Sequence, residues 1–178
     1  MRVFLALSLP DPVRSRFTLL QVALPLPRRV PPENFHLTLA FLGDVGNAAL
    51  DELDMALSGV SVPRFSLQPD SLGVFGGSRP RNIHVRFAPE PLLDRLAAKV
   101  ARAARDCGIA LESRRFVPHV TLARFNPEEA DQLRLERAVA GIGPLGMPAF
   151  EVASFSLYRS HLRADGAEYD ELARYPLR

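Results

Sequence analysis

Four histidines and three threonines supply the clearest chemical pattern in this 178-residue chain. Two of the histidines are followed by a threonine two positions later, in HLTLA (36–40) and HVTLA (119–123). The copies begin 83 residues apart, which is close to half the chain length. A repeat of this kind predicts two similar halves that each contribute one copy.

Each copy should form a strand with one polar and one apolar face, because residues two apart on a strand share a face. The histidine, threonine and alanine would then line a groove, with the small alanine leaving room for a ligand (His36, Thr38, Ala40; His119, Thr121, Ala123). The residues between them would face the core, and strict alternation adds Phe41 to that core face.

Two histidines that face one groove suit general acid–base catalysis, since the ordinary imidazole pKa of about 6.5 allows one to accept a proton and the other to donate one. In-line cleavage of a phosphodiester needs such a pair, and threonine hydroxyls can hold the non-bridging oxygens. A structural, hydrogen-bonded histidine is the alternative for either copy alone. A zinc site on the pair lacks a third and fourth ligand, so no metal or other cofactor is expected.

The remaining pattern predicts one α+β unit with antiparallel or mixed sheets and no linker between independent domains. The helix at 11–24 should have Asp11 at its cap and Pro12 in its first turn. Loops are expected at the proline-rich stretch 25–34 and at the turn 164–166. The predicted strands are 3–9, 35–42, 63–75, 82–87, 116–125, 149–159 and 167–175, and the other helices are 47–58, 89–107 and 127 to about 140.

Composition excludes several classes of protein. The chain is 47% hydrophobic and 24% charged, which is ordinary for a soluble globular protein. No run approaches the roughly 18 apolar residues of a membrane helix, and the first residues do not read as a signal peptide. The single Cys107 excludes an internal disulfide and a cysteine-rich zinc site, so it is assigned to packing and a cytoplasmic location is expected.

The basic residues have an unusual composition, although the net charge is only +2. Of the 22 lysines and arginines, only Lys99 is a lysine. Arginine binds phosphate in a bidentate manner and stacks on bases, which fits a phosphate or nucleic-acid ligand. A solvated, arginine-rich surface is the alternative, because charge alone states a tendency and not a site.

The two motifs and their flanks resemble the 2H phosphoesterase superfamily, and most closely its bacterial and archaeal RNA 2′,3′-cyclic phosphodiesterases, first described as 2′-5′ RNA ligases. The resemblance implies one bilobal domain over residues 1–178, with two pseudo-symmetric lobes around a central cleft and one HxTx motif in each half (36–39 and 119–122). It covers nearly the whole chain through RVFLAL (2–7), PPENFHLTLAFLGDV (31–45), FVPHVTLAR (116–124) and LYRSHL…GAEYDELARYPL (157–177).

The resemblance also implies metal-independent hydrolysis of 2′,3′-cyclic phosphate ends of RNA to 2′-phosphate ends. His36 would donate a proton to the leaving 3′-oxygen and His119 would accept one from water, with Thr38 and Thr121 beside them. The local sequences do not distinguish the two histidine roles. The expected partner is an RNA or oligonucleotide with such an end, and a monomer without membrane association is expected. Ligation of 2′-5′ ends and a non-catalytic RNA-end-binding module remain alternatives.

Three further positions follow from the resemblance. It implies that Arg124 contacts the phosphate, whereas strict alternation puts Arg124 on the face opposite His119, so a β-bulge or the end of the strand would have to turn it. His84 stands where the family usually has a bulky aromatic residue, and we expect it on the groove wall or the surface. His161 is expected at a turn.

Overall fold

The computed structural model describes residues 1–129, 131–163 and 166–178. Within them the chain forms nine strands, four α-helices and two short 3₁₀ turns, at Pro32–Asn34 and Pro127–Glu129. In chain order the elements are β1 (Arg2–Ser8), α1 (Asp11–Ala23), β2 (His36–Asp44), α2 (Asn47–Ser58), β3 (Phe65–Leu67), β4 (Pro69–Phe75), β5 (Asn82–Phe87), α3 (Pro91–Asp106), β6 (His119–Arg124), α4 (Gln132–Ile142), β7 (Phe150–Val152), β8 (Ser154–Arg163) and β9 (Gly166–Pro176).

This order confirms the predicted α+β class, with three local corrections. The predicted strand 63–75 is two strands in different sheets, because Pro69 has no N–H to continue a ladder and begins a new strand. The predicted strand 149–159 is likewise two strands, β7 and β8. Asp11 is the first residue of α1 and not its cap, since the extended backbone of Pro10 already occupies the cap position.

Two predicted boundaries involve residues outside the described ranges. The helix predicted from residue 127 is a 3₁₀ turn followed by α4, which starts at Gln132, and Ala130 between them is not described. The turn predicted at 164–166 includes Ala164 and Asp165, which are not described either.

The central feature is a seven-stranded sheet in the order β4-β5-β6-β2-β1-β8-β9, and every neighbouring pair in it is antiparallel. Strands β3 and β7 form a separate two-stranded sheet. The two motif strands, β2 and β6, lie side by side at the centre and share one paired position, Leu37 with Val120. The repeated motif is therefore at the middle of the sheet.

The two halves repeat the same unit on either side of that pair. The unit β1-α1-β2-α2 has the same order of elements as β5-α3-β6-α4, a strand, a helix, a motif strand and a second helix. Helix α3 packs against β2, and helix α1 packs against β6. The first helix of each half therefore supports the motif strand of the other half.

One face of the sheet carries the hydrophobic core. Alternate residues of β1, β2 and β5 point into it, and α3 contributes an apolar stripe at three- and four-residue spacing. Burying each large apolar side chain contributes about 1.5–3 kcal/mol to folding. The opposite face is left for the cleft that carries the histidines. Among the described residues, no helix is both long and apolar enough to cross a membrane.

Candidate active site

Both histidines and both threonines of the repeated motif lie on the cleft face at the centre of the sheet. The antiparallel pairing of Leu37 with Val120 sets His36 across from Thr121 and Thr38 across from His119. All four side chains are half-buried, so they are partly shielded yet reachable from the cleft. The structure thus brings together the two imidazoles and two hydroxyls that the sequence predicted on one groove.

Each histidine is held by the backbone two residues before it. The Nδ1 atom of His36 is 2.7 Å from the Asn34 carbonyl oxygen, and the Nδ1 atom of His119 is 2.7 Å from that of Val117. A carbonyl oxygen only accepts hydrogen bonds, so Nδ1 carries the proton and donates in both cases. The Nε2 atom of each neutral imidazole is left to exchange a proton with a ligand.

Burial lowers the pKa of both imidazoles. For His36 the pKa falls to about 4, because burial is reinforced by the positive charges of Arg124 and His119 and is only partly opposed by the Asn34 bond. The pKa of His119 is lowered mainly by burial and then by Arg124, against the opposing effect of the Val117 bond. Both imidazoles are therefore neutral near pH 7, and an anion beside Arg124 would raise both pKa values again.

Each motif strand contains one extra residue directly after its threonine. In β2 the unpaired residue is Leu39, which is skipped in the pairing with β1. In β6 it is Leu122, which is skipped in the pairing with β5. A bulge of this kind shifts the side-chain alternation by one residue for the rest of the strand. The two copies therefore share their geometry around the motif, while β2 alone has a second skipped residue, Leu42, further along its pairing with β1.

The bulges overturn three predictions about which side chains line the cleft. Ala40 packs against the core and Ala123 is fully buried within it, so neither alanine opens space for a ligand. Phe41 was predicted in the core, but it is 62% exposed and its ring lies 6.2 Å from that of Phe4 on the cleft face. In each case the extra residue reverses the alternation that the prediction assumed.

The same shift turns Arg124 towards the cleft. Arg124 is exposed, follows the Leu122 bulge, and pairs across the strands with Asn82 of β5. Its charge lowers the pKa of both His36 and His119, so the guanidinium lies within electrostatic range of both rings. The bulge that the sequence argument required for Arg124 is present.

Aromatic rings surround His36 on its own half of the cleft. The Phe4 ring centroid is 4.9 Å from that of His36, and the Tyr169 ring meets His36 edge-on at 5.1 Å. Tyr158 stacks on Phe4 at 5.4 Å. Sequence reasoning missed these residues, because they come from β1, β8 and β9 and carry no motif of their own.

Comparisons with known proteins identify the family of the chain. Residues 9–163 match the family model described as the 2′-5′ RNA ligase superfamily. The chain belongs to the 2′-5′ RNA ligase superfamily. It is 31% identical over 179 residues to an RNA 2′,3′-cyclic phosphodiesterase of Archaeoglobus fulgidus, covering 97% of this chain and 98% of that one. It is 30% identical over 180 residues to an RNA 2′,3′-cyclic phosphodiesterase of Escherichia coli, covering 99% and 96%.

A Geobacillus stearothermophilus RNA 2′,3′-cyclic phosphodiesterase is 32% identical over 165 residues, which are 87% of this chain and 49% of the relative. The chain thus spans about half the length of that relative. Among solved structures, a crystal structure described as a phosphoesterase superposes with a TM-score of 0.85 at 29% identity, covering 99% of this chain and 97% of that one. Escherichia coli LigT in complex with 3′-AMP has a TM-score of 0.84 at 29% identity and the same coverage. The fold of the superfamily and the resemblance are thereby confirmed.

In this superfamily member, His84 forms the wall beneath His119. It is fully buried, its ring stacks on Phe75 at 4.1 Å, and it lies 5.1 Å from the His119 ring. The expectation of a groove wall is confirmed and a surface position is excluded. Gly73 makes the burial possible, because a Cβ there would lie 2.6 Å from His84 Nε2.

Burial and, to a smaller extent, the charges of His119 and Arg86 together lower the pKa of His84 to about 3. The neutral ring bonds through Nδ1 to Asn82 Oδ1 at 3.0 Å, and no partner for Nε2 occurs among the described residues. His161 was predicted at a turn, but it lies in β8, which runs on to Arg163, and bonds to Asp170 of β9 at 2.7 Å.

The other chemically active side chains do not add a metal centre or a reactive thiol. Within residues 1–129, 131–163 and 166–178, no three His, Cys, Asp or Glu side chains converge as metal ligands would. Cys107 follows α3 and packs against the core, which confirms its assignment to packing, and burial raises the pKa of its thiol. The side chains that the structure does bring together on the cleft face carry imidazole, hydroxyl and guanidinium groups.

Proposed function

We propose that the chain hydrolyses 2′,3′-cyclic phosphate ends of RNA to 2′-phosphate ends. The observation that carries this proposal is the pair of matched imidazoles on one cleft, each with Nδ1 tied to the backbone and Nε2 left for proton transfer. Arg124 supplies the charge that a phosphate needs beside them. The relatives named RNA 2′,3′-cyclic phosphodiesterase support the same substrate.

The reaction needs one proton acceptor and one proton donor on opposite sides of the phosphorus atom. His119 Nε2 takes a proton from water as the water oxygen bonds to phosphorus. The bond from phosphorus to the ribose 3′-oxygen breaks, and protonated His36 gives its Nε2 proton to that oxygen. His119 leaves the step charged and His36 neutral, and proton exchange with solvent restores both.

Aromatic rings beside the histidines provide surfaces for the nucleoside. The leaving 3′-oxygen stays on the nucleoside, while the attacking water must come from the opposite side of the phosphorus. The His36 half carries the rings of Phe4, Phe41 and Tyr169, which suit a nucleoside. The ring of Phe75 lies 5.0 Å from that of His119 and the charge of Arg124 reaches both imidazoles, so the assignment of His36 as donor and His119 as acceptor rests on the superfamily resemblance.

Charge stabilisation falls to the hydroxyls and the guanidinium. Thr38 and Thr121 donate to the non-bridging oxygens, and Arg124 binds them through charge-assisted hydrogen bonds. The phosphate charge in turn raises the pKa of His36 from its ligand-free value of about 4, so that His36 is protonated when substrate is bound. The proposal needs no metal or other cofactor, and it treats residues 1–178 as one bilobal, monomeric, cytoplasmic unit.

Product analysis on a short RNA with a 2′,3′-cyclic phosphate end tests the proposal. We expect a 2′-phosphate end, formed at the same rate with and without EDTA. A 3′-phosphate product would reverse which ribose oxygen leaves and overturn the role assignment. Loss of activity in EDTA that zinc restores would overturn the metal-free mechanism.

Two further outcomes would favour the alternatives. Joined strands in the presence of a 5′-hydroxyl RNA would indicate ligation, and tight binding without turnover would indicate an RNA-end-binding module. The matched control is the same RNA with a 3′-phosphate end, which should remain unchanged.

A further inference from the structure

A buried glutamine links α1 of the first half to the motif strand of the second. Gln21 is 3% exposed, and its Nε2 atom donates hydrogen bonds to the carbonyl oxygens of Leu122, at 2.6 Å, and Val30, at 2.8 Å. The amide therefore uses both of its N–H bonds. A buried polar side chain fixed in this way specifies the arrangement of the backbone around it.

The backbone that Gln21 grips is the β6 bulge. Leu122 is the extra residue, and its carbonyl also accepts a hydrogen bond from Val30 N at 2.8 Å. Two residues on, Arg124 N donates to the Arg28 carbonyl at 3.1 Å. Strand β2 pairs with β6 only through Leu37 and Val120. Beyond that position, Gln21 and the segment 28–30 supply the hydrogen bonds along this edge of β6.

This bulge turns Arg124 towards the cleft. In the first copy, the bulge residue Leu39 is bonded by no side chain among the described residues, and the residue turned outward is the uncharged Phe41. The copy that carries the charged side chain is the one in which a buried side chain fixes the bulge. A guanidinium that contacts a phosphate beside two imidazoles must be held in a closely defined position. A ring that offers only a stacking face, as Phe41 does, needs less exact positioning.

We propose that Gln21 is a positioning residue for Arg124, which holds the Leu122 bulge in the register that brings the guanidinium near His36 and His119. The inference rests on the proposed function in that the cleft binds a phosphate ester. Gln21 acts on the substrate only through Arg124, so the effects of changing the two residues are coupled and not additive.

The first test is a double-mutant cycle with Gln21→Met and Arg124→Met. Methionine matches the length of glutamine but donates no hydrogen bond, and Leu122 keeps its bond from Val30, so the fold retains a partner for that carbonyl. We expect Gln21→Met to raise KM for the cyclic phosphate about 10-fold, with a smaller change in kcat. In the Arg124→Met background, the same substitution should change KM less than about two-fold. Equal losses in both backgrounds would mean a general structural role and would overturn the inference.

The second test measures the pKa of His119 by NMR and does not depend on turnover. The charged or titratable groups around His119 are Arg124 on its own strand, His84 and Arg86 on β5, and His36 on β2. Gln21→Met alters none of these groups. We expect the His119 pKa to rise by about 0.5, in the same direction as in Arg124→Met, because a cation moves away. An unchanged pKa contradicts the role of Gln21.

The chain offers a control in Gln68, an exposed residue whose Nε2 atom also donates to two carbonyls, those of Pro69 and Met147, beside the edge strand β4 and away from the motif strands. Gln68→Met should leave both KM and the His119 pKa unchanged. A shift as large as that of Gln21→Met would overturn the inference. If the wild-type chain does not hydrolyse the cyclic phosphate, the proposed function fails, and the pKa comparison still decides the role of Gln21.

Discussion

The first motif strand, β2, and the second, β6, have the same backbone plan and different neighbours. Both tie their histidine to a carbonyl two residues back, both place a threonine across from the other histidine, and both have a bulge after that threonine. The bulge presents Phe41 in one and Arg124 in the other. The shared backbone supplies two opposed imidazoles, and the different side chains make the two sides of the cleft chemically unequal.

The two exposed side chains also offer different binding energies, since Phe41 can stack on a base and Arg124 can pair with a phosphate. Around His36 the neighbours are rings, and stacking a base on a ring contributes about 1–3 kcal/mol. Around His119 the neighbours are the ring of Phe75, which meets it edge-on at 5.0 Å, the buried His84, and the charged side chains of Arg86 and Arg124. In the proposed reaction, the exposed ring of Phe41 is the surface on which the base stacks, and Arg124 binds the phosphate.

Replacing either histidine should have the largest effect. His36→Ala and His119→Ala are each expected to lower kcat by about 10²–10⁴-fold with an unchanged circular dichroism spectrum, because each removes one proton transfer. The pH profiles distinguish the roles. His36→Ala should lose the alkaline limb, which reports the donor, and His119→Ala the acidic limb. Exchanged limbs would reverse the assignment, and full activity in either variant would disprove the two-histidine mechanism.

The two residues after the bulges should have different, smaller effects. Arg124→Met removes a charge-assisted contact and is expected to raise KM about 10–100-fold, whereas Phe41→Leu removes a stacking surface and should raise it about 3–10-fold. Ribose 2′,3′-cyclic phosphate without a base sharpens the comparison. With this substrate, Arg124→Met should still raise KM, whereas Phe41→Leu should leave KM unchanged. Equal effects of Phe41→Leu on both substrates would exclude stacking.

The smallest expected effect concerns the wall of the second half and appears in stability. His84 has a folded-state pKa of about 3 against an ordinary value of about 6.5, so the folded state binds fewer protons and loses stability as the pH falls below 6.5. Because of His84, the free energy of unfolding should fall by on the order of 2–3 kcal/mol between pH 7.5 and pH 4.5. Urea unfolding at both pH values should therefore show a smaller loss for His84→Leu than for the wild type. An equal loss would mean that His84 does not titrate as described.

The fold class and the shared face of the four motif residues were predictable because their signals are local. Alternating apolar residues predict strands, and the repeated His-x-Thr pattern places two imidazoles and two hydroxyls on matching faces. The predicted faces of Ala40, Phe41 and Ala123 were wrong, because one unpaired residue reverses the alternation of side chains. The unpaired residues, Leu39 and Leu122, are ordinary strand residues, so the sequence gives no sign of a bulge. The assignment of Arg124 stayed open for the same reason.

Other features could not be predicted because distant elements determine them. The burial of His84 depends on the missing Cβ of Gly73 and on the ring of Phe75, both from the neighbouring strand β4. Gln21 meets its partner Leu122 across 101 positions of sequence. Local pattern carries no information about such contacts until the strand order is known.

The crossed packing of α1 on β6 and of α3 on β2 makes the two halves interdependent. A half separated from the other would keep its own histidine but would lose the helix that supports its motif strand. Each half also leaves an apolar helix face uncovered without its counterpart, so neither repeat is a self-sufficient folding unit. We therefore expect the chain to unfold in a single cooperative transition, in which both repeats lose their structure together.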